Sequence, residues 1–414
     1  MRIGDKQLGK PEILYKNTKA AIEALTVGIE VGAIAYATDT NKLGRYNGST
    51  WEWSRRIASA NTTYYVRTDG SDSNDGLTNS SGGAFLTIQH AVDTIADYDW
   101  NGYLPSIQVG AGTFSETVTI NAPVFVGTKS ITITGTLSTL DTLTNGVGAV
   151  QGSGATPGTV VRNAGTWTLN QRQNKLCRFT SGVNNSLSRI IDSNIAGATA
   201  TIVGGWLTGA PANGDTFVVE DWGTIVTAFV VAGAIAVNFV NIKIGDGTTS
   251  VAALTVTQRS VVTCTRCWME QTPNSGLQGL LITGYCIGSI TDCYVNGGVT
   301  LTGDYPIQLQ SSRVNLVRCK IYNPSKTKGR GIWANGQAGG LITSCVIDGG
   351  IIGVYATGNT PYSLLSSITN HFIRNCATGV QADTQSAVTG TPNVTYSGNT
   401  ADENAVAATY GYID

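Results

Sequence analysis

From Val262 to Asp348 apolar and polar residues alternate in short runs, and the runs return at a fixed step. Arg266-Cys267-Trp268-Met269, Asp292-Cys293-Tyr294-Val295, Arg318-Cys319-Lys320-Ile321 and Ser344-Cys345-Val346-Ile347 place four cysteines 26 residues apart. The runs are too short for the amphipathic helices of helical repeats, and Asn, Gly and Pro interrupt them. They read as strands. In Val314 to Ile321, alternation puts Cys319 and Ile321 on one face and Arg318 and Lys320 on the other, so one side is buried and the other wet.

A constant step of this size is what a solenoid produces when each repeat is one turn of the coil. Stacked in parallel at about 4.8 Å per rung, the repeats form a parallel β-helix with Cys267, Cys293, Cys319 and Cys345 in an interior ladder. Arg266, Asp292 and Arg318 form an outward column of alternating charge, each adjacent pair contributing about 0.2–1 kcal/mol. One step back, Ile242 replaces cysteine, one residue out of phase; one step forward falls on His371. Cys376 joins the ladder if the corner around Thr360 to Ser363 carries five extra residues, as solenoid corners tolerate.

Outside this stretch the pattern changes. Residues 1–60 read as a small module: a short helix over 17–25, then two alternating strands about Asp39-Thr40-Asn41, an Asn-Gly turn and Trp51. Residues 61–140 hold an amphipathic helix with Ile88, Ala91, Val92 and Ile95 on one face, placed to cap the open first rung, and a strand-turn-strand from Ile107 to Ile120. Strands 10 to 15 residues apart in 141–223 predict a small antiparallel barrel or sandwich inserted between rungs. The solenoid resumes over 224–414, with an irregular end expected after about residue 399.

Composition narrows the class. Charged residues make up 13% of 414, there are 51 glycines, and the formal net charge is −1, which suits a turn-rich β protein and gives no reason to expect nucleic acid. The start Met1 to Lys6 has no apolar h-region, so no secretory signal is expected, and Thr224 to Val240 reads as buried strands rather than a membrane span. Stacked cysteines have parallel Cα–Cβ vectors, whereas a disulfide needs Cβ atoms about 3.8 Å apart and facing. Free buried thiols are expected, in keeping with folding in a reducing cytoplasm.

The phrase Ala35-Tyr36-Ala37-Thr38-Asp39-Thr40 with Tyr46-Asn47-Gly48-Ser49-Thr50-Trp51 resembles the N-terminal segments of bacteriophage tail fibres and tailspikes. The series from Tyr64 to residue 137 resembles the opening of pectate-lyase-like right-handed β-helices in phage tailspikes, and 141–223 resembles a β-module inserted in tail-associated β-helices. The resemblance implies a virion tail protein made in the host cytoplasm and assembled as a homotrimer. It implies attachment to other tail or baseplate proteins through residues 1–60, and adsorption to a host cell-surface glycan.

Candidate chemistry adds little. Asp69, Asp72, Asn74 and Asp75 lack the EF-hand spacing and its closing Glu, and turn formation explains them; no metal or cofactor is expected. Glu270 and Asp348 are three rungs apart, about 14 Å, against the 5–9.5 Å that glycoside hydrolysis needs. Asp292 remains the third catalytic candidate, with Asp304 and Asp383 unpaired. Cys264 and Cys267 form a lone CxxC explained by packing, and the two histidines, His90 and His371, have no Gly-x-Ser-x-Gly elbow to serve. Trp268 and Tyr294 point outward on adjacent rungs, either to stack on a sugar or to bury against a neighbouring subunit. The leading expectation is a receptor-binding tail protein. A polysaccharide depolymerase, hydrolase or lyase, is the alternative, and a non-catalytic tail adaptor is the second.

Overall fold

The computed structural model describes residues 15–413 except 26, 41, 122–129, 153–156, 207–208, 246–251, 271–277, 298–304, 325–328, 359–360, 364–370, 384–386, 390–393 and 406–411. Its body is a parallel β-helix with three strands per turn. The first face is an 11-stranded sheet running from Thr62–Val66 to Tyr412–Ile413. The second face contains Lys243–Ile244, Trp268–Glu270, Tyr294–Asn296, Lys320–Tyr322, Val346–Asp348 and His371–Arg374. The third contains Leu254–Val256, Gln278–Thr283, Tyr305–Gln310, Arg330–Asn335, Ile352–Thr357 and Thr378–Ala382. In the early rungs the second and third faces are one strand: Thr224–Ala232 pairs with both Lys243–Ile244 and Leu254–Val256.

The ladder stands. Registers Trp268↔Tyr294, Tyr294↔Lys320 and Lys320↔Val346 stack Cys267, Cys293, Cys319 and Cys345, each fully buried. The thiols are free, and the Cys293, Cys319 and Cys345 Sγ atoms donate to the carbonyls of Cys264, Ile290 and Leu316 on the rung before, at 3.3–3.5 Å. Burial pushes the Cys293 and Cys345 thiols up from their ordinary range. Because all four ladder cysteines are fully buried, a thiol-labelling time course should show them unreactive until the protein unfolds.

Three expectations are corrected. The predicted strand from Val314 to Ile321 is two strands, Arg313–Val317 and Lys320–Tyr322, because Arg318 takes a left-handed conformation (φ 53°). Asn241, Arg266, Asp292 and Ser344 do the same at φ 53–59°, turning the chain from the first face to the second and leaving the next residue, Ile242 or a ladder cysteine, inward. Cys376 is not on the ladder: the register Val346↔Phe372 keeps the step at 26 and places position 371 beneath Cys345, with no inserted residues. Cys376 sits in the next corner, where its thiol donates to Gly349 O at 3.2 Å. Finally, the end beyond 399 is not irregular, since Ala401–Ala405 and Tyr412–Ile413 still pair as rung strands.

The N-terminal module is a four-stranded sheet with a helix, Lys19–Glu23, whose Ile22 packs on Ala35, Ala37, Tyr46 and Trp51. Leu25, just beyond the helix, lies exposed. The capping helix Ile88–Ala96 buries Ile88, Ala91, Val92 and Ile95 as its periodicity predicts. Its unpaired N-terminal amides are held by carboxylates: Glu116 accepts from Ile88 N and Gln89 N at 2.7 and 3.0 Å, and Asp72 from Leu86 N and Thr87 N at 2.9 Å.

The inserted module leaves the corner after Ile131–Thr134 and runs from Leu137–Thr144 to Thr216–Trp222. Six antiparallel strands form one sheet, and an isolated bridge, Asn145 with Arg162, joins its two edges into a small barrel. Phe179, Trp206, Phe217, Ile191 and Trp167 fill it. Among the described residues no helix is long and apolar enough to cross a membrane.

Candidate functional site

Alternation correctly turns Trp268 and Tyr294 outward, on the second face. They are nevertheless covered, by the barrel of the same chain. Trp222 meets Trp268 edge to face with ring centroids 5.2 Å apart, and Trp268 meets Tyr294 at 5.0 Å. Leu176, Ile190 and Val203 complete an apolar contact with Tyr294 and Val346, leaving Tyr294 2% exposed. Lys175 and Lys243 lie over the indole of Trp268, at 5.3 and 4.4 Å from its centroid. The predicted ligand-binding pair thus takes part in an internal docking surface, with Tyr294 buried and Trp268 partly buried against Trp222.

The catalytic candidates are also used internally. Asp292 is 7% exposed and takes a two-pronged bond from Arg318, 2.8 and 3.0 Å, with Arg189 of the barrel 3.6 Å away. Burial brings the Arg189 guanidinium down to about 10, against the pull of Asp292. Of the predicted charge column, Arg318 pairs with Asp292, while Arg266 turns to Asn241 at 2.8 Å. Asp348 is held by Arg374 Nε at 3.0 Å and Asn375 Nδ2 at 2.8 Å. Glu270 pairs with Lys243 at 2.5 Å and accepts from Asn296 at 3.3 Å. Each carboxylate is thus paired with a cation of its own chain: Asp292 with Arg318, Asp348 with Arg374 and Glu270 with Lys243. Asp304 lies outside the described residues.

The acidic loop near the capping helix is explained by turns: Asp69 pairs with Arg67 at 2.8 Å, Asp75 accepts from Leu77 N at 2.9 Å, and Asn74 donates to Ala84 O at 2.7 Å. His90 packs edge-on against Phe85, 4.7 Å between centroids.

The third face is different. Here Trp333 and Tyr355 are register partners on adjacent rungs, both pointing away from a core lined by Ile332, Ala334, Val354 and Ala356. Tyr305 joins them, its ring 4.9 Å from Trp333. Arg330 lies among the three rings, 5.2, 5.4 and 4.3 Å from the centroids of Tyr305, Trp333 and Tyr355, and its Nη1 donates to Tyr305 Oη at 2.8 Å. Farther along, the Tyr355 hydroxyl donates to Asp383, which also accepts from Gln381 Nε2 at 2.9 Å. Burial, with that acceptor beside it, pushes the Tyr355 hydroxyl up. All these side chains are partly exposed.

Sequence reasoning missed this cluster for a definable reason. Trp333 and Tyr355 stand in register but 22 residues apart, because the corner between the second and third faces shortens between their rungs. A search locked to the cysteine step passes over them. The outward positions of Arg330–Asn335 and Ile352–Thr357 were the available signal.

Residues 227–401 match the family model described as a right-handed β-helix region. No curated protein matches the chain. Among solved structures it is similar to ORF18 of Geobacillus virus E2, at 10% identity, 96% of this chain and 74% of that one, with a TM-score of 0.30. It is also similar to the gp54 tailspike of Acinetobacter baumannii bacteriophage AP22 in complex with capsular saccharide, at 9% identity and a TM-score of 0.25, covering 70% of this chain and 53% of the tailspike. A glycoside hydrolase matches at 9% identity, 85% of this chain and 96% of that one, with a TM-score of 0.25. The chain thus spans about half the length of the AP22 tailspike.

Proposed function

We propose that this chain is a phage tail protein, a tailspike or tail fibre, that adsorbs to a host cell by binding surface polysaccharide along the third face of its β-helix. Residues 1–60 act as the attachment module, and a homotrimer is the assembly the resemblance implies. One observation carries the glycan reading: Tyr305, Trp333 and Tyr355 present partly exposed rings on one face. Such rings take the apolar face of a sugar, and polar neighbours such as Gln381 bond its hydroxyls. The second face is already occupied by the barrel, so the third face is the better platform.

The test titrates the purified full chain with polysaccharides from a panel of bacterial strains. Trp333→Ala should weaken binding by at least about tenfold with the melting temperature kept, since base–aromatic stacking of comparable area is lost at about 1–3 kcal/mol per ring. Trp268→Ala should do the reverse, keeping affinity and costing about 3–5 kcal/mol of stability, as deletion of a packed indole does. Binding that survives Trp333→Ala and fails with Trp268→Ala would refute the assignment. Release of new reducing ends or unsaturated products in the same assay would make the chain a depolymerase instead.

A further inference from the structure

We infer that the polysaccharide bound on the third face is acidic, and that Arg330 receives the carboxylate of one of its sugars. This rests on the glycan reading above and adds the class of ligand. Arg318 and Arg374 each grip carboxylates of their own chain through two nitrogens. No carboxylate of the described residues lies within ion-pair distance of Arg330, which is held instead by three aromatic rings and one hydroxyl.

That arrangement fixes a guanidinium without consuming its charge. Of its five N–H donors one goes to Tyr305 Oη; Nε is enclosed and unpaired, and Nη2 makes no hydrogen bond among the described residues. Rings attract a cation through their faces and shed water from it, but they accept few hydrogen bonds. The guanidinium therefore arrives oriented and weakly hydrated, with Nη2 left to meet a carboxylate beside Nη1.

The site is also directional. Asp383, tied to Gln381, places a negative charge at the hydroxyl end of Tyr355, whereas Arg330 lies over its ring. A carboxylated sugar is attracted at the Arg330 end and repelled at the Asp383 end, where an uncharged sugar offering hydroxyl donors fits. A polymer alternating acidic and neutral residues satisfies both ends.

The experiment applies each polysaccharide of the strain panel in two forms, native and with its uronic carboxyls reduced to alcohols, to the full-length chain, and measures affinity. The native forms of acidic polymers should bind, and reduction should weaken them at least tenfold. Arg330→Gln should bind the native form at least tenfold more weakly than the parent chain and should no longer distinguish native from reduced polymer, at an unchanged melting temperature. Arg330→Lys, which keeps the charge and loses the fork, should fall between. Equal binding of native and reduced forms by the parent chain overturns the inference, as does a preference that persists in Arg330→Gln. A parent chain that binds neither form of any polymer, or whose third face is buried by a second copy in a Trp333-dependent oligomer, defeats the glycan reading itself.

Discussion

Asp192→Ala should lower the unfolding free energy by about 3–5 kcal/mol, the loss typical when one partner of a buried ion pair is removed. Asp192 projects from the barrel onto the second face of the β-helix. Its carboxylate is reached by Lys320 at 3.0 Å and by Arg374 at 2.8 and 2.9 Å. After the change Arg374 keeps Asp348, but Lys320, whose side chain is 2% exposed, keeps only the Asp192 carbonyl oxygen at 2.8 Å. The stranded ammonium is the main cost. Equilibrium unfolding in urea measures it, and the double change Asp192→Leu with Lys320→Met should recover most of the loss, because no buried charge is then left alone. A single variant with wild-type stability would show that the barrel does not dock through this pair.

The same pair sets an acid limit. Burial alone would raise the Asp192 carboxyl, but Lys320 and Arg374 hold it below its ordinary value. A depressed folded-state pKa means the unfolded chain takes up the proton first, so this stabilisation is whole above the unfolded value of about 3.9 and declines as pH falls through the folded one. Lys320 works in the opposite sense: burial lowers its pKa despite Asp192, so keeping it charged costs stability below the unfolded value of about 10.4. Near-ultraviolet dichroism of Trp222 and Trp268, which face each other across the docking surface, should report undocking below about pH 4.

Gly349→Val should cost about 2–5 kcal/mol. Gly349 follows the second-face strand Val346–Asp348 at φ +84°, where an L side chain is strained by about 1–2 kcal/mol, and a Cβ there would stand 1.7 Å from the Asn323 carbonyl oxygen of the rung before. The backbone must move to admit it, at the further 1–3 kcal/mol usual for overpacking. Gly102→Ala separates the two costs, since Gly102 has φ +88° and open space around its Cβ position; it should lose only the conformational part. Thermal denaturation of both variants decides, and equal losses would mean that rung spacing is soft at this corner.

Much of the architecture was legible in the chain. Period-two alternation and the 26-residue step located the strands and the four ladder cysteines, because stacking identical turns requires apolar residues to recur in phase, and helical spacing of Ile88, Ala91, Val92 and Ile95 located the capping helix. The left-handed bend at Arg266, Asp292, Arg318 and Ser344 was not legible, since these residue types have no shared turn preference; the inward pull on the following cysteine dictates the bend. Cys376 misled because a matching residue type outweighed register. The third-face cluster was hidden by a change in corner length.

The sequence alone therefore determined which side of each strand faces the core. Only the tertiary structure decided which outward columns meet solvent: Tyr294 and Lys320 are outward yet buried under the barrel, whereas Trp333 and Tyr355 are outward and partly exposed. The physical reason is that alternation is set by the local geometry of one strand. Whether a distant part of the chain, here a barrel more than forty positions upstream, lies against the far side depends on long-range docking that the local pattern does not encode.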